Sequence, residues 1–125
     1  MIIGIGIDIV KISRIEQDLA RFGEKFAHRL LTDTEMALWH QHGNSALFLA
    51  GRFAAKEAAS KALGTGFNRG VSLKTIAIIN NPAGRPELTF LDTALEYAAQ
   101  LGCKHYHVSL SHEREFAVAM VVLEG

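Results

Sequence analysis

Residues 51–66 read Gly-Arg-Phe-Ala-Ala-Lys-Glu-Ala-Ala-Ser-Lys-Ala-Leu-Gly-Thr-Gly, a stretch that can hardly be anything but a helix. Ala and Leu are strong helix formers, Arg, Lys and Glu are close behind, and Gly64 and Gly66 supply the stop. Ser45 or Asn44 is placed to cap its start, so the helix runs through Leu47, Phe48 and Phe53 to Leu63. Its apolar beginning and polar middle predict a helix that enters the core and emerges at a cleft. Phe53, Glu57 and Lys61 stand at i, i+4 and i+8 and stack along one stripe, drifting by roughly 40° per step. Ala54, Ala55, Ala58, Ala59 and Ala62 flank that stripe. Such small side chains let a neighbour approach closely and leave the carboxylate and ammonium without bulky cover. On their own, Glu57 and Lys61 form an ordinary exposed i, i+4 pair worth ~0.3–0.5 kcal/mol.

A second carboxylate changes their meaning. Residues 2–10 are expected to form a strand, because β-branched residues dominate and period 2 puts Ile3, Ile5, Ile7 and Ile9 on one face. The opposite face carries Gly4, Gly6 and Asp8. Glycine weakens a strand interior, so two of them beside a carboxylate imply that something packs or binds tightly there. A buried Asp must be paired, hydrogen-bonded or on a metal. The bland alternative for Asp8 is a cap on the helix that follows.

Residues 11–42 become helical in pattern, with Ile12, Ile15, Leu19 and Phe22 as an apolar stripe and Lys11, Arg14, Arg21, Lys25 and Arg29 elsewhere. Gly23 breaks the first helix, and Thr32 and Glu35 have capping-box spacing for the next. The basic residues are either a solvated face or a docking patch for an acidic partner. His40 and His42 point to different sides of a helix and read as surface residues. Beyond the organising helix, residues 67–70 form a glycine-rich loop with amide donors of the kind that cradle phosphate, although no Walker lysine accompanies it. Residues 71–79 and 87–90 read as a hairpin around Asn80-Asn-Pro-Ala-Gly84, residues 92–102 as an amphipathic helix, and residues 105–111 and 116–123 as two closing strands. His105 and His107 share a strand face, but no third or fourth zinc ligand accompanies them.

At 125 residues the chain is expected to be one domain spanning 1–125. Lys plus Arg and Asp plus Glu balance at 13 each, so no global field points to nucleic acid. The single cysteine, Cys103, excludes an internal disulfide framework and fits a reducing compartment. No segment has the makings of a signal peptide or a membrane span. A cytoplasmic protein is expected.

Four motifs in order, Gly4-Ile-Gly-Ile-Asp-Ile-Val10 with Arg14 and Ile15, Arg52-Phe-Ala-Ala-Lys-Glu-Ala58 with Lys61-Ala-Leu-Gly-Thr-Gly66, Asn81-Pro-Ala-Gly-Arg-Pro86, and Ser109-Leu-Ser-His-Glu113 with Ala117-Val-Ala119, span nearly the whole chain. Together they resemble the holo-acyl-carrier-protein synthases, the short, group I 4′-phosphopantetheinyl transferases. The resemblance implies an α+β fold, with helices packed on one side of an antiparallel sheet, and a homotrimer with sites at subunit interfaces. It implies transfer of the phosphopantetheine arm of coenzyme A to a serine of an acyl carrier protein, releasing adenosine 3′,5′-bisphosphate. The serine must attack a phosphorus whose oxygens are already anionic, so that charge has to be neutralised and held still. Mg²⁺ suits the task, since it binds through one or two carboxylates plus substrate phosphates.

On that resemblance Asp8 and Glu57 match the metal ligands, and Lys61 matches the lysine that contacts the pyrophosphate and the departing bisphosphate. The serine proton goes to Glu57 or to a metal-bound water. Arg52, Phe53, Gly64, Gly66, Gly84, Arg85, Pro86 and His112 resemble positions lining the coenzyme A site. Backbone amides after the helix and at the Arg85 turn are expected to hold phosphates there, and His112 to reach the 3′-phosphate. Arg14, Arg21 and Lys25 fit the surface that docks the acidic carrier. The chain departs from the family pattern at Lys11, where an acidic residue is common, and at residues 73–75, which lack a tryptophan. A different class of reading is a non-catalytic module that binds coenzyme A and an acidic protein, but such a module needs no leaving-group lysine.

Overall fold

The computed structural model describes residues Met1–Gly125. Strand β1 (Ile2–Lys11) leads into three short helices, α1 (Ile12–Phe22), α2 (Glu24–Leu30) and α3 (Asp33–Gln41), and then the long helix α4 (Ala46–Leu63). The hairpin β2 (Ile76–Asn80) and β3 (Pro86–Phe90), helix α5 (Asp92–Gln100), and strands β4 (His105–His112) and β5 (Phe116–Glu124) complete the chain. The expected α+β architecture holds, with every strand pair antiparallel. The sheet is in two pieces, a three-stranded β1-β5-β4 sheet and the separate β2-β3 hairpin.

Helix α4 lies against β1 and β5. The glycines explain how closely. A Cβ at Gly4 would stand 2.0 Å from the Ala62 carbonyl oxygen, and one at Gly6 only 1.8 Å from that of Ala58. The alanines do the same from the helix side, with Ala54, Ala55, Ala58 and Ala59 fully buried above Ala117 and Ala119 of β5. The other face of the sheet is bare: Ile5, Ile7 and Ile9 are 60%, 60% and 62% exposed, and Met120, opposite Ile7, is 44% exposed.

Local signals set most boundaries. Thr32 and Glu35 form the expected capping box on α3, and Ser45 caps α4 by accepting from the Phe48 N–H at 3.0 Å. Gly64 closes α4 in the left-handed conformation at φ 80. Two expectations change. Asp8 does not cap α1, whose N-cap is Lys11 without a side-chain bond. The strand expected over 71–79 begins only at Ile76, because Ser72 and Thr75 bond to each other in a turn and the Leu73 carbonyl is taken by Lys56 from α4.

Gly6→Ala must therefore push α4 off β1. The variant is expected to lose about 3 kcal/mol or more in urea unfolding, and a wild-type midpoint would show that the contact is not what seats the helix.

Candidate active site

Because α4 sits directly on the glycine face of β1, the next residue on that face, Asp8, is brought to the polar stripe of the helix. Its Oδ1 accepts a hydrogen bond from Lys61 Nζ at 2.9 Å, and the same ammonium donates to the Ile7 carbonyl at 3.2 Å. The ammonium is the accessible partner, its side chain 52% exposed against 16% for Asp8. Lys61 thus engages the strand carboxylate, not Glu57 one turn before it on the helix. Glu57 is half-buried, and burial pushes its pKa above the ordinary glutamate value. The negative charge of Asp8 raises it further, and Lys61 only partly offsets this. The arrangement is two crowded carboxylates with one mobile cation between them and solvent.

Asp8 and Glu57 line a cavity of about 540 Å³. Phe53, from the turn of α4 before Glu57, forms one wall, and Phe26 and Leu30 of α2 form another. Arg14 of α1 stands in the same lining, while Arg21 and Lys25 are exposed beyond it. Asp18 lines the same cavity, but no third carboxylate, histidine or cysteine is grouped with the pair in a way that could hold a metal ion. A donor set of two acidic oxygen groups beside open space fits a hard cation whose remaining ligands come from water and a phosphorylated substrate. It does not fit a closed zinc site.

The other expected ligand residues fall in separate places. Arg52 and His112 meet across a second cavity of about 300 Å³. Arg52 is 5% exposed, its guanidinium lies 4.3 Å from the centre of the Phe48 ring, and its Nη2 donates to Asn80 Oδ1 at 3.0 Å. Its Nε has no partner at all, an unspent donor in a buried cation. Burial lowers the Arg52 pKa, with the Glu35 carboxylate acting in the opposite sense. Arg85 and Pro86 line a third recess of about 390 Å³ with Tyr106 and His107, sharing no residue with the other two.

The amides at the end of α4 and at the Arg85 turn are already committed, whereas those of residues 67–70 donate to no group of the protein. Gly64 N–H donates to Lys61, and both Thr65 and Gly66 donate to the Ser60 carbonyl, closing the helix end. In the hairpin, Gly84 N–H bonds the Asn81 carbonyl and Arg85 N–H bonds Asn81 Oδ1. At those two places side chains must do the anion binding. His42, read from sequence as a surface residue, is exposed yet lines the Arg52 cavity together with Asn80 and Ser111. No local pattern announces these three, since only the fold gathers them.

A raised carboxyl pKa has a defined sign. Below the unfolded value Glu57 is protonated in both states and costs nothing; as pH rises through its folded value, ionisation is harder in the folded protein and stability is lost. In chelator-treated protein, Asp8→Asn is expected to lower the Glu57 titration midpoint in carboxyl NMR. An unmoved midpoint would remove Asp8 as its charged neighbour.

Comparison with known proteins gives a consistent result. Residues 4–121 match the family described as the 4′-phosphopantetheinyl transferase superfamily. The chain is 52% identical over 123 residues to the holo-[acyl-carrier-protein] synthase of Halorhodospira halophila, covering 98% of each. Its fold superposes on the crystal structure of the Neisseria meningitidis holo-[acyl-carrier-protein] synthase with a TM-score of 0.93 at 39% identity, over 100% of both chains. The Helicobacter pylori enzyme, solved in complex with coenzyme A, gives 0.84 at 38% identity, over 96% of this chain and 99% of that one.

Proposed function

The chain belongs to the 4′-phosphopantetheinyl transferase superfamily, and on that premise we propose how its residues divide the work of a holo-[acyl-carrier-protein] synthase. It is a transferase that carries the 4′-phosphopantetheine arm of coenzyme A to a serine of an apo acyl carrier protein. A serine oxygen forms the new bond to the β-phosphorus, and adenosine 3′,5′-bisphosphate leaves. The observation that carries the assignment of roles is the meeting of Asp8 and Glu57 at one cavity, with the Lys61 ammonium bonded to Asp8.

Asp8 and Glu57 are the residues to hold Mg²⁺, which when bound neutralises and orients the pyrophosphate. A bound cation would relieve the repulsion between the two carboxylates. Lys61, on an exposed, flexible stem, is the residue to reach the pyrophosphate and stabilise the charge that develops on the leaving bisphosphate. Arg52, with its unspent Nε–H, and His112 supply donors for the phosphate at the far end of coenzyme A.

Arg85 and Pro86 open onto a recess remote from the carboxylate cavity in sequence and lining. We assign them to the coenzyme A site of a neighbouring copy, in a trimer packed through the bare isoleucine face of β1. Exposed Ile5, Ile7, Ile9 and Met120 form an apolar surface of the kind that association covers. The carrier docks on Arg14, Arg21 and Lys25 and presents its serine to the Glu57 cavity from that side. A cytoplasmic setting is proposed on the single free thiol, Cys103. No helix is long and apolar enough to cross a membrane.

Intact-mass spectrometry of apo carrier incubated with the protein and coenzyme A tests the reaction. A phosphopantetheine gain with Mg²⁺ and none with EDTA is expected; no gain with either would leave only coenzyme A and carrier binding. Asp8→Ala and Glu57→Ala are each expected to lower turnover by about 10³-fold or more while the fold persists, and near-normal turnover in either would sink the metal assignment. Raising salt is expected to increase KM for the carrier, and a salt-independent value would remove the docking role of Arg14, Arg21 and Lys25.

A further inference from the structure

Behind the site lies a pair of charges that the transfer itself does not use. Lys56 precedes Glu57 on α4, and a helix turns about 100° per residue, so the two side chains face apart from one stretch of backbone. Lys56 points inward, and both it and Glu35 are fully buried. All three of its protons are spent: Nζ donates to Glu35 Oε1 at 2.6 Å, to the Leu30 carbonyl at 2.8 Å and to the Leu73 carbonyl at 2.7 Å. Glu35 is likewise engaged, accepting from the backbone N–H groups of Thr32 and Ile78, each at 2.8 Å.

The Leu30 bond links this pair to the cavity. Helix α2 has seven residues, begins at Gly23 with φ 64 and has no side-chain cap. A helix so short does not hold itself in place. Its C-terminal carbonyls are instead held by two lysines, Lys56 on that of Leu30 and Lys74 on those of His28 and Leu31. Phe26 and Leu30 of this same helix line the cavity together with Phe53 and Glu57.

We propose that Lys56, with Glu35 as its counter-ion, is a positioning residue that holds the Phe26 and Leu30 wall in fixed relation to Glu57, and so governs how the acceptor serine seats. One stretch of α4 presents Glu57 to the cavity and, through Lys56, anchors the helix whose Phe26 and Leu30 line it. The inference rests on the acceptor entering the Glu57 cavity, as proposed above. Only the pyrophosphate of the donor reaches the Glu57 cavity; the rest of coenzyme A is anchored at Arg52, in a different cavity that the wall does not line.

Two full-length variants test this. Glu35→Gln with Lys56→Gln removes both charges and keeps groups that donate and accept; Lys74→Ala loosens the same helix end at an exposed lysine. Amide hydrogen exchange is followed alongside steady-state transfer with apo carrier and coenzyme A. Exchange over residues 24–31 is expected to accelerate relative to α4. The carrier KM is expected to rise about tenfold in the double variant and about threefold in Lys74→Ala, with the coenzyme A KM within about twofold of wild type. Unchanged exchange over residues 24–31, or equal losses for both substrates in a folded variant, would overturn the proposal. If the double variant does not fold, Lys74→Ala decides alone. If the wild type transfers nothing, the functional reading fails, and exchange over residues 24–31 still judges the positioning.

Discussion

Helix α4 lies on strand β1 at a separation that only glycine permits, with the positions of side-chain carbons at Gly4 and Gly6 filled by the carbonyl oxygens of Ala62 and Ala58. Residues alternate along a strand, so the same face that offers two glycines offers Asp8 next. Residues recur on a helix face every three or four positions, so the same face that offers Ala58 and Ala62 is flanked by Glu57 and Lys61. Backbone contact thus brings two carboxylates to one cavity and an ammonium onto Asp8 without any of them having to pull the elements together. The burial that raises Glu57, and the Asp8 charge that adds to it, follow from packing elsewhere.

A helix that rests on alanine and glycine buries little apolar area per residue on that side. The other side of α4 compensates with chemistry, since Lys56 binds Glu35 and the carbonyls of Leu30 and Leu73 in a fully buried network. Removing one partner from such a network costs about 3–5 kcal/mol, because the other is left buried and unpaired. Every donor of Lys56 is matched here, so the charge is tolerable where an isolated one would not be. The helix is gripped on one face by close backbone contact and on another by ionic bonds, which leaves the Glu57 and Lys61 stripe as its open edge.

Features that depend on neighbours in sequence were legible. The glycine face of β1 was marked by period 2 and by glycines that a strand does not want, and the Thr32 and Glu35 box by its spacing. Features that depend on distant partners were not. Lys56 and Glu35 are 21 residues apart, and a lysine inside an alanine-rich helix looks like any solvated one. The turn over residues 71–75 read as strand because Val71, Leu73 and Thr75 fall at period 2 just before the apolar run that opens at Ile76, whereas Lys56 claims the Leu73 carbonyl. The amides of Thr65 and Gly66 looked free in sequence and are consumed by the end of α4. His42 joins Arg52 only because α3 ends beside the start of α4 and the chain returns through Asn80 and His112. The residue roles came from recognising the motif set, and the geometry then explained why Asp8 accompanies Glu57.

The account turns on the idea that close seating of α4 on β1 makes Asp8 and Glu57 a single cation site from which Lys61 is displaced. A crystal structure with coenzyme A and Mn²⁺, a stand-in with an anomalous signal, tests it most directly. The expected result is one anomalous peak shared by the Asp8 and Glu57 carboxylates and the pyrophosphate, with Lys61 turned from Asp8 to the phosphates. A metal bound elsewhere, or Lys61 still bonded to Asp8 with substrate in place, would contradict it.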